Sequence, residues 1–142
     1  MTTPRITHVT SDGCRVTWHC STCDRPLKRH DGWIELVGDQ MRTAYQALRR
    51  VNEIEARHRA AGIVSAADYL DLPDPGRWRA TCRTCNGDDQ GSGYFIDVDR
   101  IATVAAVLDW SAHLAGKIWT AHTDWDDVCR IVAAAATGRA AA

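Results

Sequence analysis

The 142-residue chain is large enough for one domain that buries roughly 70% of the surface its unfolded form exposes. Its 45% hydrophobic and 25% charged residues are ordinary for a globular protein, no stretch approaches the ~18 consecutive apolar residues of a membrane helix, and a net charge of −1 excludes an overall basic footprint for nucleic acid. The charge is uneven, +3 over residues 1–60 and −4 over 61–142, so a polyanion would have to be met by a local patch.

Residues 1–15 alternate polar and apolar side chains without the apolar core of an export signal, which sets the expectation of a reducing, cytoplasmic compartment. In such a compartment six cysteines point to metal rather than to disulfides. Residues 5–10 and 14–19 read as a hairpin around Ser11-Asp12-Gly13, with Cys14, Val16 and Trp18 on one face. The hairpin runs into Cys20-Ser21-Thr22-Cys23, and a short strand is expected over 33–37.

A long helix is expected over 39–61, capped by Asp39 and ended by Gly62, with Met41, Ala44, Tyr45, Leu48, Val51 and Ile54 as its apolar stripe. A short helix over 65–72, capped by Ser65, should stop at Pro73 and Pro75. The strand–knuckle–strand order then recurs: 77–81, Cys82-Arg83-Thr84-Cys85, and 94–98. Nine residues separate Cys23 from Trp33 and eight separate Cys85 from Tyr94, so the two arms are alike. A helix starting at Asp97 or Asp99 should carry Ile101, Val104, Ala105, Leu108, Ala112 and Ala115 to Gly116. A last helix, capped by Thr123 or Asp124, should run through Val128, Ile131 and Val132 before a frayed end over 137–142.

Two C-x-x-C pairs, fifty-eight residues apart, carry the most specific chemistry. Each pair holds half a tetrahedron of thiolates, and Cys20, Cys23, Cys82 and Cys85 together fill the shell of one Zn²⁺ with no position left for water, which marks a structural site. Four thiolates around a divalent ion leave a net −2, which Arg25, Lys28, Arg79 and Arg83 are placed to offset. His19 or His30 in place of a cysteine, or an iron–sulfur cluster, are the rival assignments. Cys14 and Cys129 read as buried free thiols.

Two surfaces are candidates for recognition. Arg42, Arg49, Arg50 and Arg57 line one side of the long helix and can track a phosphate backbone, unless Glu53 and Glu55 make it an ordinary solvated face. Trp119 and Trp125 beside Asp126 form an acidic, aromatic end suited to a protein partner, with core packing as the competing role. There is no P-loop, no G-x-G-x-x-G, no H-E-x-x-H, no deaminase pattern, and neither His30-Asp31 nor His58-Arg59 matches a His-Asn-His nuclease.

Arg77-Trp78-Arg79, Cys82, Cys85, Tyr94-Phe95-Ile96-Asp97, Leu108-Asp109-Trp110-Ser111-Ala112-His113-Leu114 and Thr123-Asp124-Trp125-Asp126-Asp127 are the residues that carry a resemblance. With the first knuckle, this half resembles small uncharacterised zinc-ribbon-like proteins of actinobacterial phages, plasmids and integrated elements. The resemblance implies a genomic context and transfers no catalytic residue.

The expectation is therefore a single α+β domain over 1–142: a zinc-ribbon-like antiparallel β core with three main helices, a helical insertion at about 39–72, and C-terminal helices at about 97–136. Its expected function is that of a non-enzymatic zinc module, a small regulatory or accessory protein contacting another protein. DNA binding through the arginine face is the alternative, and an unrecognised nuclease or other enzyme the next. No membrane and no small-molecule substrate is implied.

Overall fold

The computed structural model describes residues 4–10, 15–63, 65–86 and 93–138. The Ser11-Asp12-Gly13 turn, Cys14 and the chain from 139 onward lie outside them. Strands β1 (Arg5–Val9) and β2 (Val16–His19) pair antiparallel, with a register irregularity between Ile6 and His8. Strands β3 (Gly32–Leu36), β4 (Arg79–Cys82) and β5 (Tyr94–Asp97) form a second antiparallel sheet in the order β4-β3-β5. The strand that leaves the first knuckle thus lies between the two that flank the second. Both arms are joined in one sheet, through the registers Gly32↔Cys82 and Trp33↔Asp97.

Side chains alternate across that sheet with period two. Ile34, Leu36, Ala80, Cys82 and Ile96 share the inner face and belong to the main apolar cluster. Trp33, Glu35, Arg79, Thr81, Phe95 and Asp97 share the outer face. Gly32 is required where β3 meets β4, because a Cβ there would lie 2.1 Å from the Thr81 carbonyl oxygen.

Helix α1 (Gly38–Ala61) ends as expected: Gly62, at φ 73°, donates its N–H to the His58 carbonyl. Its start differs from expectation, since Val37 occupies the cap position without a side-chain bond and Asp39 lies inside the first turn, where a carboxylate still favours the helix dipole. The buried stripe is Ala44, Ala47 and Ile54, whereas Tyr45 is 41% exposed. Ala44 faces inward where the chain at Gly76 passes close: a Cβ on Gly76 would be 2.5 Å from the Gln40 carbonyl oxygen and 3.4 Å from the Ala44 methyl. Helix α2 (Ala66–Leu70) is capped by the Ser65 hydroxyl, which accepts from the Ala67 N–H.

The helix expected after β5 is divided. A 3-10 turn (Val98–Ile101) is capped by Asp97, then Thr103 adopts an extended backbone and its hydroxyl caps α3 (Val104–Ala115). This division turns Val107 and Leu114 inward and leaves Leu108 67% exposed. A second 3-10 turn (Thr120–His122) leads to α4 (Trp125–Ala136), which buries Trp125, Val128 and Val132.

Trp78 joins these parts. Its ring, fully buried, lies 4.9 Å from Trp125, 6.1 Å from Tyr94 and 6.3 Å from Trp119. Its backbone N–H donates to Asp124 Oδ1 at 2.8 Å and its indole N–H to Thr123 Oγ1 at 3.2 Å. Likewise the Trp18 indole donates to the Ile101 carbonyl, tying β2 to the turn before α3. No helix of the described residues is long and apolar enough to cross a membrane.

Candidate metal centre

Each knuckle is a tight turn closed by its own backbone. In the first, the Cys20 N–H donates to the Arg25 carbonyl and the Asp24 N–H to the Cys20 carbonyl, with Asp24 in the left-handed region at φ 63°. In the second, the Cys85 and Asn86 N–H groups both donate to the Cys82 carbonyl. The knuckles are sewn together: Ser21 N–H donates to the Ala80 carbonyl, Ala80 N–H to Ser21 Oγ, and Arg83 N–H to the Asp31 carbonyl. The Cys82 N–H points at Cys20 Sγ, 3.5 Å away, a contact that favours the thiolate form.

The four sulfurs of Cys20, Cys23, Cys82 and Cys85 all lie within 4.8 Å of one another, and can hold a metal ion. Cys23 Sγ and Cys82 Sγ are 3.8 Å apart. Tetrahedral ligands at a Zn–S distance of ~2.3 Å are separated by about 3.8 Å, whereas a disulfide would need ~2.05 Å. The spacing therefore suits thiolates around one ion. Cys20 and Cys82 are buried, Cys85 is half-buried and Cys23 is exposed, so the site sits at the surface end of the sheet.

Without an ion the proton load is uneven. Burial pushes the Cys20 thiol up, but the backbone N–H groups of Cys23, Cys82 and Thr22 outweigh it and bring it down to about 6. Hydrogen bonds to the Cys82 and Cys23 sulfurs hold the proton on Cys85 and push it up to about 12. A bound cation would displace that proton, so binding should weaken as the pH falls.

Of the cations expected to balance the thiolates, Arg25 does so: burial lowers its pKa, but Asp31 and the Cys82 and Cys23 sulfurs more than offset this and raise it. Arg79 is committed instead to Glu35 at 2.8 Å, and Arg83 lies over the Trp33 ring at 5.4 Å; Lys28 is exposed. Neither histidine joins the sulfurs. His19 Nδ1 is 2.8 Å from the Asp24 carbonyl, and His30 is paired with Asp99.

The two other surfaces fare differently. Arg42, Arg49 and Arg57 are exposed along α1 and Arg50 is half-buried, but Arg42 pairs with Asp39, Arg50 with Glu53 and Arg57 with Asp68. Trp119 and Trp125 are 5% and 3% exposed, stacked around Trp78, which is the packing role; Asp126 alone of that trio reaches solvent. Cys129, expected to be a buried free thiol, is free but only half-buried, its thiol pushed up by burial, with Ser111 Oγ 3.3 Å away.

The outer sheet face holds a feature that pattern reading missed. A cleft of about 180 Å³ is lined there by Trp33, Glu35, Arg83, Tyr94, Phe95 and Asp97, with the start of α1 at one end. The signal was a glutamate alternating with isoleucine and leucine in a central strand. No family model, curated protein or solved structure matches the chain.

Proposed function

We propose that this chain is a non-enzymatic, zinc-stabilised binding module with a zinc-ribbon-like core, a small regulatory or accessory protein of a phage or other mobile element that contacts nucleic acid. The observation that carries the reading is the set of four thiols within 4.8 Å, two from each knuckle. Four thiolates saturate a tetrahedral ion, so Zn²⁺ here joins two arms and activates no water. Recognition then falls to the surfaces that the ion holds in place.

Among these surfaces, the exposed arginines of α1 favour a phosphate backbone. Their pairs with Asp39 and Asp68 are solvent-exposed ion pairs, worth roughly 0–1 kcal/mol, and readily exchanged for phosphate. A protein partner is the second reading, supported by the exposed Asp126 and by Ile118, which is 70% exposed next to Trp119 in the chain. It has lost the two tryptophans that would have anchored it.

Anisotropy titration of labelled DNA against the zinc-loaded chain tests the leading reading. Binding should weaken steeply with salt, and Arg49→Ala with Arg50→Ala should flatten that slope. Absence of binding at low salt would end it, and co-purification of a protein lost in Asp126→Ala and Ile118→Ala would favour the second reading.

A further inference from the structure

The cleft on the outer sheet face has a construction that the metal centre does not need. Its walls are held rigid. Glu35, 6% exposed, receives Arg79 and the Thr81 hydroxyl on Oε1 and the Trp33 indole N–H on Oε2. An ionised carboxylate has about four acceptor positions, so Oε2 keeps one for a guest. Arg83 stacks on Trp33, and its Nε donates to the His30 carbonyl at 2.6 Å, which fixes the guanidinium plane. A guanidinium has about five N–H donors, so four remain. Phe95, beside Glu35 in the register, is 66% exposed although it lies in the middle of a strand.

The charges nearly cancel: Glu35, Asp97 and Arg83 line the cleft, and Arg79, which pairs with Glu35 from the neighbouring strand, supplies the second positive charge. A cleft that is aromatic, net neutral and furnished with fixed donors and acceptors does not select an ion. It selects a flat neutral ring that offers both an amine and a carbonyl. Its volume of about 180 Å³ is below the roughly 300–1,000 Å³ of sites for drug-sized ligands, so the guest is a single small ring system.

We propose that this cleft binds a cytosine base: the ring stacks on Phe95, its exocyclic amine donates to Glu35, and its carbonyl accepts from Arg83. Cytosine carries an amine and a carbonyl on one edge, on either side of a ring nitrogen; uracil and thymine lack the amine. The base can come from a free nucleotide or from an unpaired position in a strand. The inference deepens the nucleic-acid reading above but uses none of its α1 arginines.

The test is titration of the zinc-loaded full chain, followed by tryptophan fluorescence, with CMP, UMP and labelled ten-nucleotide single strands of deoxycytidine and of thymidine. Cytosine ligands should bind about tenfold or more tightly than their uracil or thymine counterparts, and Phe95→Ala should weaken them about tenfold while leaving the melting temperature unchanged, because the ring is exposed. Glu35→Gln should abolish discrimination, and Phe95→Ala stands in for it if that variant does not fold. Binding of CMP comparable to the strand identifies a free nucleotide, and binding of the strand alone identifies an unpaired base; both support the inference. Equal binding of cytosine and thymine strands, or binding lost in Arg49→Ala but indifferent to Phe95→Ala, would overturn it while leaving the α1 reading intact. Binding of a lysine-rich peptide lost in Phe95→Ala, with no nucleotide bound, would assign the cleft to a cation and overturn it also.

Discussion

Replacing Asp124 with alanine should destabilise the protein by about 2–3 kcal/mol. Its Oδ1 accepts the backbone N–H of Trp78 at 2.8 Å, and both residues are buried, at 3% and 0% exposure. A buried donor left without a partner costs about 1–3 kcal/mol, and loss of a carboxylate at the start of α4 adds about 0.3–1 kcal/mol. At this length about 3–4 °C of melting temperature accompanies each kcal/mol, so the midpoint should fall by roughly 6–12 °C. The bond is part of a strap, because Gly76 and Asp124 also exchange backbone bonds with the segment opposite: Gly76 N–H to the His122 carbonyl and Asp124 N–H to the Gly76 carbonyl. Denaturant unfolding of zinc-loaded protein is the assay, with Asp124→Asn as the companion variant, since it retains the acceptor and should recover most of the loss. An alanine variant within about 0.5 kcal/mol of the parent, or an asparagine variant as weak as the alanine one, would refute the reasoning.

Gly32→Ala should cost more than about 3 kcal/mol and reduce metal retention, because the new methyl meets Thr81 and Cys82 backbone atoms at 2.1 and 2.9 Å and neither can yield; unfolding and metal content measured together check it. Stability should also decline at alkaline pH. The Cys129 thiol is raised by burial, so above an unfolded value of about 8.5 the unfolded chain releases a proton that the native one retains. That stability is complete below about pH 8.5 and is lost as the pH rises through the native pKa, so Cys129→Ala should flatten the decline of urea midpoints between about pH 8 and 10. An identical slope in the variant would remove Cys129 from the account.

Much of this architecture was legible in the chain because its signals are local. Two C-x-x-C turns, alternation across 33–37 and 94–98, and glycine after a three-four repeat each act over a few residues, and the strands and α1 lie within about two residues of expectation. Partnership was not legible. That β3 lies between β4 and β5 depends on pairings 44 to 64 residues apart, which no strand's own pattern shows. Asp124, one of the two cap candidates with Thr123, does stand at the cap position of α4, but its side chain accepts from Trp78, a partner that no local pattern shows. The inner face of α1 carries Ala44 where Gly76 passes close, and the larger Tyr45 lies 41% exposed. Trp119 and Trp125 were compatible with either surface or core; the aromatic cluster around Trp78 draws them inside. The cleft lay beyond pattern reading because its parts come from β3, β5, the second knuckle and the start of α1, which only the fold brings together.

The central claim is that Cys20, Cys23, Cys82 and Cys85 close around one zinc ion, and metal content of the purified chain with and without Cys82→Ser tests it most directly. Structural zinc contributes on the order of 10–16 kcal/mol of apparent binding energy in small domains, and Cys82 is fully buried at the junction of both knuckles. The account predicts one zinc per chain, with loss of both zinc and cooperative unfolding in the serine variant. A Cys82→Ser protein that retains a full equivalent of zinc and melts unchanged, or a parent chain that folds without any metal, would contradict it.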